Sequence, residues 1–134
     1  MNAPSKDVVA LLNAESSLGL SSPTNLDYGI MPDTPDAFVT VYDGPGFSPR
    51  HTIDDANAIE RPGVQVLVRG DPGDYNGAYA LARAIKLYLH GLRATITGGT
   101  LIVSWVGGEI MFIDWDDRRR PRLSVNFNLS RTSS

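Results

Sequence analysis

The stretch from Arg61 to Gly91, RPGVQVLVRGDPGDYNGAYALARAIKLYLHG, carries the two periodicities that decide the fold. Val64, Val66 and Val68 alternate with Gln65, Leu67 and Arg69, the two-residue period of a strand with unlike faces. Gly70-Asp71-Pro72-Gly73 ends that strand. Asp74 is a good helix N-cap, because its carboxylate can accept from the free amides of a first turn. From there Ala78, Leu81, Ala82, Ile85, Tyr88 and Leu89 line one stripe of a helix over Tyr75–Leu89, while Asn76, Arg83 and Lys86 fall off it. Gly91 closes the helix. Its small residues, Gly77, Ala78, Ala80, Ala82 and Ala84, allow it to lie close on a sheet.

Working upstream, Ser5 is a candidate cap for a helix running to about Leu18, stopped by Gly19. Residues 19–37 read as loop, and Phe38–Tyr42 as a strand ended by Asp43-Gly44-Pro45-Gly46. Residues 44–61 show no clear period, which predicts a long loop acting as a binding arm. Downstream, Thr95–Thr97, a Gly98-Gly99 turn, Leu101–Val106, a Gly107-Gly108 hairpin turn and Glu109–Ile113 predict a meander. Asp116-Asp117 makes the next turn, and Leu123, Val125, Phe127 and Leu129 alternate with Ser124, Asn126, Asn128 and Ser130. The expectation is an α+β fold of order α-β-β-α-β-β-β, a mixed or antiparallel sheet packed by two helices. The 134 residues fit a single domain.

Composition narrows the function more than it identifies it. There is no cysteine, so thiolate zinc sites, cysteine nucleophiles and disulfides are excluded, and two histidines, His51 and His90, argue against histidine-based metal sites. No apolar run approaches the ~18 residues of a membrane span. Val8–Leu12 is too short for the core of a signal peptide. These features suggest a small cytosolic domain. The formal charge of -3 is unevenly spread: residues 1–60 hold nine acids against two bases, and residues 61–134 hold six acids against ten bases. The two halves can neutralise each other within one fold, or meet head to tail between copies.

No residue set makes a convincing chemical centre. Ser48, His51, Asp54 and Asp55 bring a hydroxyl, an imidazole and carboxylates into one loop, without the rigid support that nucleophilic catalysis needs. Asp114, Asp116 and Asp117 lack the glycine and closing glutamate of a calcium loop, and the adjacent arginines would repel a cation. Arg118, Arg119 and Arg120, with Arg122, could meet phosphates, yet the sequence pI near 5.2 and the missing aromatic platform disfavour a nucleic-acid binder. No catalytic, cofactor or metal residue is therefore assigned. The long loop, the arginine turn and the charge split all suit assembly.

The order of the motifs resembles the minor capsid and tail terminator proteins of long-tailed bacteriophages. Met31-Pro32-Asp33, then Phe38–Asp43, then Pro62–Arg69, then Tyr75 and Tyr79 opening an alanine-rich helix carry the likeness. Ile113-Asp114-Trp115-Asp116-Asp117-Arg118-Arg119 through Pro121, with Leu123–Leu129, fits the family's closing turn and strand, so that roughly residues 5–131 are covered. The resemblance implies a non-enzymatic virion protein at the tail–neck junction, assembled in the host cytoplasm. It would form a homo-hexameric ring on the tail tube protein, stop tube growth and offer a surface to a neck or head completion protein. Double-stranded DNA would pass through without specific binding. A head-side neck ring or a small ligand-binding domain are the other readings. Asp33, Asp36, Asp54 and Asp55 are then expected to approach Arg118, Arg119 and Arg120 of a neighbouring copy. Arg50 and His51, with the rest of the 44–61 loop, are candidates for contact with tube or neck.

Overall fold

The computed structural model describes residues 2–51, 58–106 and 108–133. The elements in chain order are α1 (Pro4–Ala14), a 3-10 turn (Ser16–Leu18), β1 (Leu26–Tyr28), β2 (Phe38–His51), β3 (Ala58–Arg69) and α2 (Tyr75–Leu89). They are followed by β4 (Arg93–Ile96), β5 (Gly99–Val106), β6 (Met111–Trp115) and β7 (Pro121–Ser133). Seven strands make one mixed sheet in the order β1-β2-β3-β7-β5-β4, with β6 also on β7. The α+β class expected from the sequence is what forms.

The valine strand and the helix after it fold as their periods dictate. Val64, Val66 and Val68 are all buried, and Ala78, Ala82, Ile85 and Leu89 bury the stripe of α2 against them. Burying a side chain the size of Ile85 or Leu89 stabilises by about 1.5–3 kcal/mol relative to leaving it in water. Asp74 caps α2, its Oδ1 accepting from the Gly77 amide at 2.9 Å. Gly70 is needed where strand and helix meet, since a Cβ there would lie 2.8 Å from the Ala78 Cβ. Helix α1 covers the same sheet face beside α2, and Tyr88 Oη donates to the Leu11 carbonyl between them.

Several expectations are corrected. Ser5 is not the cap of α1 but lies inside it, after Ala3 and Pro4. The first turn is held from outside: the Asp43 carboxylate on β2 accepts from the Ser5 amide at 2.9 Å and from the Ser5 hydroxyl at 2.8 Å. The helix stops at Ala14, and only the 3-10 turn reaches Leu18, ending on the left-handed Gly19. The predicted turn at Asp43–Gly46 and most of the predicted 44–61 loop are strand. Gly44 pairs with Gly63, Phe47 with Arg61, Arg50 with Ile59 and His51 with Ala58. Two register shifts break the period that a sequence reading depends on, and Pro45, Pro49 and Pro62 sit at the unpaired positions these shifts create. A residue with no amide to donate is tolerated there and not within a regular ladder.

Among the described residues, strands β5 and β6 do not pair with each other as a Gly107-Gly108 hairpin would require. Both lie antiparallel along one edge of β7, β5 against Phe127–Ser133 and β6 against Pro121–Ser124, like one strand interrupted between Val106 and Met111. Gly107 lies outside the described residues. The β4–β5 turn falls on Thr97-Gly98, one residue before the expected Gly98-Gly99, with Gly98 left-handed. Strand β1, within the segment read as loop, pairs parallel to β2 through three residues. Three residues are too few for any periodicity to show.

Candidate assembly interface

The Asp116–Arg120 turn is built by its own polar side chains. The Asp116 carboxylate accepts from the amides of Arg118 at 3.0 Å and Arg120 at 2.9 Å, and from Arg120 Nε at 2.7 Å. Arg119 takes the left-handed conformation at φ 61°, so the chain reverses tightly into β7. Burial opposes charge on Asp116, but the Arg120 amide and guanidinium and the Arg118 amide outweigh it and hold the carboxyl below its ordinary range.

Arg120 is almost fully buried and reaches the segment before β2. Its Nη1 donates to the Asp33 carbonyl at 2.7 Å and lies 3.3 Å from Asp36 Oδ1, and its Nη2 meets Asp33 Oδ1 at 3.0 Å. Arg118 Nη2 meets the other Asp33 oxygen at 2.8 Å. Burial lowers the Arg120 affinity for its proton, while the bonds to Asp116 and Asp33 raise it further. Arg69, equally buried, grips the same segment through its backbone. Its Nε donates to the Asp36 carbonyl at 2.7 Å, and its Nη2 to the carbonyls of Pro32 at 2.6 Å and Pro35 at 2.8 Å. Burial first, and then the neighbouring Arg120 charge, lower the Arg69 pKa. Beside this cluster Arg122 makes a two-bond pair with Asp114, both at 2.6 Å.

The structure thus brings Asp33, Asp36, Arg118 and Arg120 together inside one subunit. Arg119 is exposed and its side chain enters no ion pair among the described residues. Arg50 and His51 close β2 opposite Ile59 and Ala58. Asp54 and Asp55 lie outside the described residues. Among those described, no three His, Cys, Asp or Glu side chains converge as a metal site.

Lowering the pH tests the turn. A carboxyl held below its ordinary range adds stability that is complete above about pH 4, the unfolded value, and is lost as the pH falls through its folded pKa. In acid titrations followed by thermal unfolding, Asp116→Asn is expected to lower stability at pH 7 and to flatten its decline below about pH 4. An unchanged slope would remove Asp116 as the origin of the acid sensitivity.

An apolar patch that the charge-based reading missed sits beside this turn. Met111, Phe112, Ile113 and Trp115 on β6 are all exposed, although β6 is only five residues long. The rings of Tyr75, Phe112 and Trp115 pack in a triangle with centroids 5.5–6.1 Å apart. Met-Phe-Ile followed by Trp in a short strand was the available signal, masked because an apolar run in a small domain usually reads as core. Here the strand borders the sheet, and only β7 pairs with it among the described residues.

Comparison with known proteins agrees with the fold. The model of a family described as bacteriophage tail terminator protein matches residues 15–133. A chain from a structure of the virion of a native gene transfer agent particle superposes with a TM-score of 0.73 at 18% identity, covering 98% of this chain and 96% of that one. A second solved chain gives a TM-score of 0.60 at 16% identity, with 96% of each chain covered. At these identities the structural likeness is one of fold. No curated relative matches the sequence.

Proposed function

The chain belongs to the bacteriophage tail terminator family, a family of virion structural proteins, and from that premise we propose that it caps the tail tube as a ring. Six copies close on the last tube ring, prevent a further tube subunit from adding, and present a surface to the neck or head completion protein at the tail–neck junction. The ring assembles in the host cytoplasm, and double-stranded DNA passes its centre without specific binding. The observation that carries the reading is the family match over nearly the whole chain. The exposed apolar strand supports it, because an apolar patch left facing water marks a surface that a partner covers.

The mechanism is occlusion. A heterologous contact repeated around a closed ring uses every copy of that contact, which leaves the ring's own joining surfaces filled. The two remaining faces of the ring then differ, one fitting the tube end and the other offering no site for tube growth. The β2–β3 arm, residues 44–51 and 58–61, extends beyond the part of the sheet covered by β1 and is the candidate contact with tube or neck.

Electron microscopy of particles from a phage lacking this gene tests the role. Overlong or unjoined tails, corrected when the protein is supplied, are the expected result. Normal tails accompanied by filled heads that leak DNA would replace this reading with a head-side neck role.

A further inference from the structure

Two rungs of the ladder cross the sheet without a break in register. Leu26 pairs with Val39, Val39 with Val68, Val68 with Leu123 and Leu123 with Phe112. The next rung runs Asp27, Thr40, Leu67, Ser124 and Met111. Strands β1 and β6 are therefore the two ends of one five-stranded strip, at the same height. Among the described residues neither has a strand on its outer side. Strand β1 runs parallel to β2 and to β7, and β6 runs antiparallel to β7. Two copies placed side by side in the same orientation bring β6 of one against β1 of the next as an antiparallel pair.

We propose that the β6 edge of one copy pairs with the β1 edge of the next, so that the sheet continues across the subunit boundary. The proposal rests on the ring reading above and names the surface that joins the ring. Both edges carry exposed apolar side chains: Tyr28 ends β1 and Ile30 follows it, and Met111, Ile113 and Trp115 line β6. Together they are five of the nine exposed large apolar residues described, so exposed apolar surface is concentrated at the two ends of the strip.

The β1 edge also carries a backbone donor that faces away from the sheet. The Gly29 amide donates to the Val41 carbonyl, so the Tyr28 amide, one residue earlier, points away from β2. Its proton is taken by the carboxylate of the adjacent Asp27 at 2.8 Å, a contact that an incoming strand can replace. Charge gives the pairing its direction. Asp27 on β1 is acidic and unpaired with any base among the described residues, while Arg119 follows β6. An edge-to-edge pair of two β1 strands would set Asp27 against Asp27, which head-to-tail pairing avoids by setting Asp27 level with Met111. The bulge between Phe112 and Asp114 bends β6 and keeps the contact to a few residues, which favours a defined pair over open-ended stacking.

The absence of cysteine makes the test direct. An Asp27→Cys, Met111→Cys chain, whose two thiols stand on one row of the proposed pair, oxidised and run on a non-reducing gel, is expected to give a ladder of covalent multimers that ends at one ring size. Each single variant should give dimers at most. Ile113→Lys, at an exposed position, should keep the circular dichroism spectrum of the parent and reduce multimer formation at least tenfold in native mass spectrometry. Multimers that persist in Ile113→Lys, with no ladder from the double variant, would overturn the edge pairing and leave the ring reading standing. A chain that stays monomeric at every concentration would overturn both.

Discussion

Replacing Arg131 by alanine is expected to cost about 3–5 kcal/mol of folding stability, the range found when one partner of a buried ion pair is removed. Arg131 is nearly inaccessible. Its Nη1 donates to Asp7 Oδ2 at 3.0 Å and to the Asn2 carbonyl at 2.6 Å, and its Nη2 and Nε meet Glu60 Oε2 at 2.6 and 3.1 Å. One guanidinium so ties the first turn of α1 to β7 and β3. Glu60 is half exposed and can turn to water when its partner is lost. Asp7, buried to 3%, cannot, and its stranded charge supplies most of the penalty. Denaturant unfolding monitored by circular dichroism gives the number. The combination Arg131→Met with Asp7→Leu should recover most of the loss, since apolar residues of similar volume often replace a buried pair without cost. Equal stability of Arg131→Ala and the parent would show that Asp7 reaches solvent.

The second large effect is expected at Arg69. Its three short bonds to the Pro32, Pro35 and Asp36 carbonyls hold the segment that covers the end of β3. Bonds from a charged donor are worth about 1.5–3 kcal/mol each, and neighbours in one network do not add fully. Arg69→Ala should therefore destabilise by about 2–4 kcal/mol. Arg69→Lys should recover only part, because an ammonium cannot reproduce the planar fork. Hydrogen exchange should also show the amides between Ile30 and Asp36 losing protection before the rest of the sheet. Loss of protection spread evenly over the whole chain would mean that the segment is not a separately held unit.

These two arginines show where sequence reading stops. Arg69 was legible as one face of an alternating strand, and Arg131 as one of five bases near the C-terminus. Neither position announces a partner 33 to 129 residues away in the chain. The same limit applies to the arginine turn. The acidic first half and basic second half suggested attraction between copies, and the fold satisfies much of that charge within one copy through Asp33, Asp36, Arg118 and Arg120. The arm from Gly44 to Arg61 was hidden for a different reason: bulges at the prolines shift the pairing and erase the alternation.

What the sequence determined by itself was local. The valine alternation, the α2 stripe with its Asp74 cap and the alternating C-terminal strand each depend on neighbours a few residues apart, so their residues alone specify them. The motif order was enough to place the chain among phage tail terminators. Only the tertiary structure decided which strands end the sheet, because an edge is defined by the absence of a partner and that absence is a property of the whole sheet. It set β1 and β6 on shared rungs, turned β5 and β6 into one interrupted strand on β7, and left Met111, Ile113 and Trp115 facing water. The apolar run in β6 was visible from the start; that it faces outward follows from long-range pairing, which no local pattern encodes.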